Sequence, residues 1–133
     1  MKAMAANITR ALQPESRVNV CDNSGAKEIK IFSKKGGKSV KRRRISAGIG
    51  DLVIGTVTKG RPDMMKQVVF AIVVRQRRPY RRPDGTRVCF EDNAVVVLKD
   101  DKGTPKGTLF KGPIAKEACG RWPNVAKLAK IIA

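Results

Sequence analysis

Residues 71–98 read AIVVRQRRPYRRPDGTRVCFEDNAVVVL, two apolar runs separated by a strongly basic stretch. The runs, Phe70–Val74 and Ala94–Leu98, are rich in β-branched residues and are typical of strands buried on both faces. Between them, two prolines interrupt strand pairing and Asp84–Gly85 is a strong signal for chain reversal. This stretch therefore predicts a β-hairpin that is rooted in the core and projects from it.

The tip of this hairpin carries six arginines between positions 75 and 87, with Asp84 as its one acidic residue. Arginine presents a planar fork that matches phosphate oxygens, whereas sheet edges that need only solubility more often carry lysine. We therefore predict that the tip contacts nucleic acid. Tyr80 either stacks on a base or ribose or packs on its own loop. The predicted contacts are Arg75, Arg77, Arg78, Tyr80, Arg81, Arg82 and Arg87.

The whole chain is strongly basic, with 29 Lys+Arg against 11 Asp+Glu and a formal net charge of +18. Such a charge repels itself in the compact state, which points to a polyanionic partner. A second basic run, SKKGGKSVKRRR at Ser33–Arg44, is a solvated loop, a nuclear address or a surface that contacts phosphates. Its adjacency in sequence to a predicted strand, together with the second basic cluster in the arginine-rich tip, favours phosphate contact. The predicted contacts in this run are Lys34, Lys35, Lys38, Lys41, Arg42, Arg43 and Arg44.

Further short strands are predicted before the hairpin. Arg17–Cys21 and Ala26–Phe32 alternate between apolar and polar residues around a turn for which Asp22 and Gly25 are suited. Val40–Ile45 could begin another strand. Within Ile45–Thr58, Gly50–Asp51 marks the entry of a further strand, whose glycines predict bends or close backbone approaches. Many short strands at close spacing indicate a small β-barrel.

The spacing of apolar residues changes from the strand period to the helix period only near the end of the chain. Pro113 and Gly120 mark the limits of one short helix, and Val125, Leu128 and Ile132 share one face of a second over Pro123–Ile132. We predict a mainly β single domain, residues 1–133, with a projecting basic hairpin and two short C-terminal helices. Residues 1–11 form an extension that is ordered only on a partner, and residues 112–133 form the helical tail.

Few residues are suited to catalysis, and no enzyme activity, cofactor or metal is predicted. The chain has no histidine, which argues against imidazole catalysis and most zinc sites. Asp51, Asp63, Glu91 and Asp92 are explained by turns or salt bridges. The three cysteines, Cys21, Cys89 and Cys119, are predicted to fill the core in a reducing compartment. No apolar run is long enough for a membrane span, and no homo-oligomer is expected.

Trp122 is predicted to anchor the start of the second helix in the core rather than to contact a partner. Lys111, Arg121 and Trp122 nevertheless stay candidates for partner contact. Two other functional classes remain open. A free factor with an oligonucleotide-binding type of barrel would present several aromatic residues on a sheet face, yet aromatic residues make up only 5% of this chain. An RNA-modifying enzyme would need a cofactor loop or an acid–base pair, and neither is recognisable.

Several motifs in order along the chain resemble one known family, the universal large-subunit ribosomal protein family fourteen in its archaeal and eukaryotic form. The resemblance covers about Leu12 to the C-terminus and is carried by the following segments: Arg17–Val20, Asp22–Lys27, Ile49–Val53, Ala71–Val74, Arg81–Gly85, Phe90, Asn93–Val97, Pro105–Thr108, Phe110, Gly112–Ala115 and Glu117. Residues 1–11 and the charge of Ser33–Arg44 depart from the bacterial pattern.

This resemblance implies a five-stranded β-barrel with short C-terminal helices that is a structural constituent of the large ribosomal subunit in the cytoplasm. It implies binding to large-subunit rRNA near the subunit interface and a bridge to small-subunit rRNA. It also implies contacts with neighbouring ribosomal proteins and with a subunit anti-association factor. These functions require no catalysis.

Overall fold

The computed structural model describes every residue from Met1 to Ala133. Its elements in chain order are β1 (Arg17–Val20), β2 (Ala26–Lys34), β3 (Leu52–Gly60), β4 (Val68–Arg75), β5 (Tyr80–Arg81), β6 (Arg87–Val88), β7 (Ala94–Leu98), β8 (Pro113–Ile114), α1 (Lys116–Arg121), α2 (Pro123–Leu128) and β9 (Ile131–Ile132). Five of the strands form a closed barrel in the order β1-β2-β3-β4-β7. The predicted mainly β barrel with two short C-terminal helices is therefore confirmed.

The barrel is a meander that its last strand closes. Strands β1 to β4 pair antiparallel with their neighbours in sequence, and β7 pairs antiparallel with β4. On its other side β7 pairs parallel with β1, where Asn19 lies opposite Ala94 and Val20 opposite Val95. Closure leaves no free edge in the main sheet. Both predicted hairpins, β1–β2 and the one built on β4 and β7, are present.

Strands β4 and β7 are buried on both faces, as their continuous apolar runs predict. Ala71–Val74 and Ala94–Val97 have 0% exposure. One face of each strand points into the barrel. The other face of β4 is covered by the segment that leads into α1, whose Ala115 amide donates to the Val74 carbonyl at 3.1 Å. The apolar interior of the barrel and the layer outside it thus form one core.

Glycine in β3 permits a close approach between strands. A Cβ atom on Gly55 would lie 2.5 Å from the Ile29 Cγ2 atom and 2.7 Å from the Lys30 carbonyl oxygen. The β2–β3 register shifts on either side of this contact. The prediction that this glycine marks a close backbone approach is confirmed.

The C-terminal tail differs from the prediction in its last residues. Helix α2 ends at Leu128, and Ile131–Ile132 instead forms β9, which pairs parallel with β8. The Ala133 amide donates to the Ile114 carbonyl at 2.9 Å. A helix this short gains little from its own hydrogen bonds, so pairing with a distant strand determines the conformation. No helix in the structure is long and apolar enough to cross a membrane.

The N-terminal extension is packed against the barrel, whereas the sequence predicted order only on a partner. Leu12 pairs with Ala47, and both the Ala11 and Leu12 amides donate to the Ala47 carbonyl. Ile8 packs on the core beside Gly48, and the Lys2 amide donates to the Arg121 carbonyl at 2.9 Å. The small residues near the start of the chain allow this close contact.

Candidate nucleic-acid interface

The basic loop, residues 33–44, leaves the barrel at the end of β2 and turns twice. Gly36 adopts a φ of +73°, and the Arg43 amide donates to the Val40 carbonyl at 2.9 Å across a turn that contains Arg42 at φ +66°. Val40–Ile45 therefore does not begin a strand, contrary to the prediction. The charged side chains of this turn are exposed because no other element covers it.

Two lysines at the base of the basic loop are held by carboxylates. The Lys34 side chain is only 10% exposed, and its Nζ lies 3.0 Å from Asp51 Oδ2. Asp51 also accepts from the Gly48 amide at 2.9 Å and from Arg121 Nη1 at 3.2 Å. Lys34 is thus paired within the protein, whereas the sequence predicted it as an RNA contact. Lys35 pairs with Asp101 at 3.2 Å, but both side chains are exposed.

The arginine tip, residues 75–87, is a small hairpin of its own in which β5 pairs with β6. Its turn is stabilised by the Gly85 amide, which donates to the Arg82 carbonyl at 2.9 Å, and by the Thr86 amide, which donates to Asp84 Oδ1 at 2.9 Å. Gly85 has a φ of +90°, a conformation that favours glycine. The predicted reversal at Asp84 and Gly85 is therefore present.

Arg75 is a structural residue rather than a free contact. It is 9% exposed, and its guanidinium forms a bidentate pair with Asp92, with Nε and Nη2 at 2.9 and 3.2 Å from the carboxylate oxygens. Its Nη1 also donates to the carbonyls of Lys111 and Pro113 at 2.9 and 3.1 Å. All these partners lie far along the chain, so Arg75 ties the end of β4 to the segments before β7 and β8.

Tyr80 and Arg82 converge on Glu117 in α1. Tyr80 is 1% exposed and donates from Oη to Glu117 Oε2 at 2.7 Å, while Arg82 Nε donates to Oε1 at 2.7 Å. Burial opposes ionisation of Glu117, yet the hydrogen bonds from Arg82 and Tyr80 outweigh it and lower its pKa. Burial and the bond to Glu117 raise the pKa of Tyr80. Neither location expected for Tyr80 is observed, because it anchors the tip to α1.

The remaining predicted cations are exposed and form no ion pair with an acidic side chain. In the basic loop these are Lys38, Lys41, Arg42, Arg43 and Arg44, and in the arginine tip Arg77, Arg78, Arg81 and Arg87. We refer to these nine residues as the free cations. Their charge is available to an external anion because no carboxylate neutralises it.

The N-terminal extension links the two basic elements, which the sequence did not predict. Residues 4–7 line a cavity together with Arg81 and Arg82, and Arg10 lines another with the basic loop. Between these cavities the Thr9 carbonyl accepts from Gln76 Nε2 at 2.9 Å. Arg10 was missed because it stands alone in a weakly basic segment, and only the fold brings it beside the loop.

The other candidate residues divide between core and surface. Trp122 is 2% exposed and donates from Nε1 to the Gly50 carbonyl at 2.8 Å, so it is the predicted anchor. Arg121 is held by Asp51, which leaves Lys111 as the exposed candidate for partner contact. Cys21 and Cys119 are buried as predicted, but Cys89 is exposed. Cys89 lies just after β6, on the segment that returns from the arginine tip to β7, where no second layer covers it.

Three of the four candidate carboxylates form salt bridges, as the sequence predicted. Asp51 pairs with Lys34 and Arg121, Asp63 with Arg61, and Asp92 with Arg75. Glu91 is exposed without such a partner. The structure contains no group of three or more Cys, Asp or Glu side chains that could hold a metal ion.

Asp22 is more than a turn residue. Its Oδ1 accepts from the Ser24 amide at 3.1 Å and the Ser24 hydroxyl at 2.6 Å, and its Oδ2 accepts from the Val97 amide at 2.9 Å. Burial raises the pKa of Asp22 in spite of these bonds. The side chain thereby joins the turn after β1 to the closing strand β7.

Comparison with known proteins places these features in a family context. Residues 11–133 match the family model of ribosomal protein L14p/L23e. The chain is 57% identical over 132 residues to the large ribosomal subunit protein uL14 of Nanoarchaeum equitans, with 99% of each chain covered. It is 49% identical to the proteins of the same name from Methanococcus vannielii and Methanococcus maripaludis, again with 99% of each chain covered.

Proposed function

The chain belongs to the ribosomal protein L14p/L23e family, and from this premise we propose that it is a structural component of the large subunit of cytoplasmic ribosomes. In this role it binds large-subunit rRNA through the basic loop and the arginine tip. The observation that carries the proposal is the set of nine free cations, which belong to two loops of one closed barrel. Binding and positioning of RNA by these residues requires no chemical step.

The mechanism is the neutralisation of phosphates at fixed spacing. Both loops are joined to the barrel by buried or partly buried ion pairs. The basic loop is held through Lys34 and Asp51, and the arginine tip through Arg75 and Asp92 and through Arg82 and Glu117. Because the bases of the loops are held, less conformational entropy is lost when the free cations contact RNA. Specificity then comes from the shape of the RNA backbone rather than from its bases.

The distribution of aromatic residues favours this mechanism over a single-stranded RNA factor. Stacking platforms need several exposed aromatic rings on one face. In this structure the one aromatic side chain among the exposed large hydrophobic residues is Phe32, at 47% exposure. Tyr80, Phe110 and Trp122 are buried in the core. Electrostatic contacts to folded RNA are therefore the better explanation of the basic surface.

We extend the proposal to the subunit interface. The free cations lie in two separate loops, so some of them can bind large-subunit rRNA while others reach small-subunit rRNA and form a bridge. Lys111 and the exposed Ile131 and Ile132 lie outside both loops and offer contacts for a neighbouring ribosomal protein or a subunit anti-association factor.

The test is sedimentation of a cell extract through sucrose gradients at moderate and at high salt, with this chain followed by an antibody. We expect the chain to migrate with large subunits and to stay there at high salt. Binding of the chain to an isolated rRNA fragment, by contrast, should weaken strongly with salt. A protein that makes six to ten phosphate contacts loses a factor of about 10³–10⁵ in affinity between 50 and 200 mM salt. A chain found at the top of the gradient at both salt concentrations would instead identify a free RNA-binding factor.

A further inference from the structure

A cavity of about 420 Å³ lies between the basic loop and the N-terminal extension. The lining contains no acidic residue. Five cationic side chains line the cavity: Arg10, Lys34, Lys38, Arg43 and Arg44. Since a water molecule occupies about 30 Å³ in the liquid, this volume accommodates a phosphate group together with ordered water. The charge and size of the cavity both fit a small oxyanion.

The cavity is shaped by contacts between the two limbs of the basic loop. A Cβ atom on Gly37 would lie 2.8 Å from the Ile45 Cγ2 atom and 3.2 Å from the Lys34 carbonyl oxygen, so the limbs touch where glycine leaves room. The turn that returns the chain contains Arg42 at φ +66°, a left-handed conformation that is uncommon for arginine. Together these features bring Arg43 and Arg44 back over Gly36 and Lys38.

Two of the lining cations are fixed from outside the loop. Lys34 is held by Asp51 at 3.0 Å, which fixes the lysine at the base of the cavity although the carboxylate offsets its charge. Arg10 belongs to the extension, whose neighbouring residues Ala11 and Leu12 are hydrogen-bonded to Ala47. The Arg10 backbone is also packed beside Gly48, where an added Cβ would lie 3.4 Å from the Arg10 Cα. The arginine therefore reaches the cavity from an ordered backbone.

We propose that this cavity is a preformed site for one phosphate group, in which Arg10 and the turn of the basic loop surround the oxygens. The proposal rests on the proposed function, since the phosphate that fills the site is a backbone phosphate of large-subunit rRNA. Arginine and lysine donate charge-assisted hydrogen bonds to phosphate oxygens, and their convergence distinguishes this site from the dispersed charge of the arginine tip. The N-terminal extension is thereby part of the RNA-binding surface.

The first test uses inorganic phosphate and the full-length chain, observed by amide NMR. We expect saturable shifts at Gly36 and Gly37. Arg10→Ala should weaken binding about tenfold or more, as expected for the loss of one charge-assisted hydrogen bond. Lys102→Ala removes an exposed charge outside the cavity and should change the affinity less than twofold.

A second variant separates the shape of the cavity from its charge. Gly37→Ala keeps the net charge but pushes the limbs apart at Ile45, so we expect it to weaken phosphate binding by a similar factor. Gly120→Ala is its matched control, because an added Cβ there meets no atom within 4 Å. Equal affinity in all four variants and the unaltered chain would overturn the proposal, because binding would then not depend on the cavity. Equal weakening in Arg10→Ala and Lys102→Ala with no effect of Gly37→Ala would overturn it as well, because binding would then depend on net charge alone.

An RNA experiment distinguishes a backbone phosphate from free phosphate. Binding to a large-subunit rRNA fragment is measured as a function of salt, and Arg10→Ala should reduce the magnitude of the salt slope by about 1. If the chain binds inorganic phosphate but Arg10→Ala leaves the salt slope for rRNA binding unchanged, the cavity is a site for free phosphate. That result would refute the assignment of the site to an rRNA backbone phosphate. Co-sedimentation with large subunits without any phosphate site would reject the cavity while the proposed function stands.

Discussion

Glu117 is the residue on which the position of the arginine tip most directly depends. Its carboxylate accepts from Tyr80 Oη and Arg82 Nε, both at 2.7 Å, while its side chain is only 6% exposed. In Glu117→Gln the side-chain NH₂ group must face either Tyr80 Oη or Arg82 Nε, so one of the two hydrogen bonds is lost because both groups there are donors. We expect a loss of about 1–3 kcal/mol in the free energy of unfolding at pH 7, measured by urea denaturation.

The same contact predicts a dependence on pH. Because the pKa of Glu117 is lowered in the folded state, its stabilising contribution is complete above the unfolded pKa, near 4.3, and is lost as the pH falls through the folded pKa. The difference between the original chain and Glu117→Gln should therefore shrink below about pH 4. Glu91→Gln, at an exposed site, should change stability by less than about 0.5 kcal/mol. A difference that is constant with pH would show that Glu117 is neutral at pH 7.

The cysteines differ in reactivity because the fold buries Cys21 and Cys119. Burial raises the pKa of Cys21 to about 12 and also raises that of Cys119, whereas Cys89 is exposed. Thiolates rather than thiols react with iodoacetamide. At pH 8 we expect one adduct, at Cys89, in the folded protein and three in concentrated urea, as counted by mass spectrometry. Labelling of Cys21 as fast as Cys89 would contradict the burial of the residue that follows β1.

Side-chain burial in the tip could not be predicted from the sequence. Six arginines near one another predict a charged surface, and for Arg77, Arg78, Arg81 and Arg87 the structure agrees. Arg75 and Arg82 are different because their partners, Asp92 and Glu117, lie 17 and 35 residues away in the sequence. Residue type alone does not distinguish an arginine that meets a buried carboxylate from one that meets solvent.

At the scale of elements, the contact between β2 and β3 gives the clearest prediction. Gly55→Ala places a methyl group against Ile29 and the Lys30 carbonyl, which forces the strands apart. We expect a loss of about 1–3 kcal/mol in the free energy of unfolding, as for other overpacked sites. Gly120→Ala in α1 adds a methyl group in open space and should be neutral or stabilise by up to about 1 kcal/mol. A neutral Gly55→Ala would show that the strands can separate at no cost.

The elements that could be predicted are those whose pattern is local. Strand alternation located β1 and β2, Gly50–Asp51 marked the entry of β3, and apolar runs located β4 and β7. The strand β9 could not be found in this way, because its conformation depends on pairing with Pro113–Ile114. The packed extension was missed for the same reason: Leu12 is ordered by its pairing with Ala47.

At the scale of the whole molecule, folding and RNA binding depend on different arginines. Replacing Arg77, Arg78, Arg81 and Arg87 together with alanine should reduce the magnitude of the salt slope for rRNA binding by about 3–4. The urea midpoint should stay the same or rise, since self-repulsion among the charges decreases. The matched control is Arg75→Ala, which leaves the partly exposed Asp92 and two carbonyl groups without their partner and should destabilise the fold by about 1–3 kcal/mol. If the quadruple variant assembles into ribosomes normally, the tip is not an RNA contact.

The position of β7 determines when this protein can fold during its synthesis. The strand lies between β1 and β4 in the barrel, yet it is the last of the five to be translated. Until then, the sheet of β1 to β4 has two unpaired edges and its apolar face is open. A chain that ends at Asn93 should therefore show no cooperative unfolding transition in urea. The barrel closes only after Leu98 of the 133 residues has emerged, so translation sets the time at which the protein becomes competent for assembly.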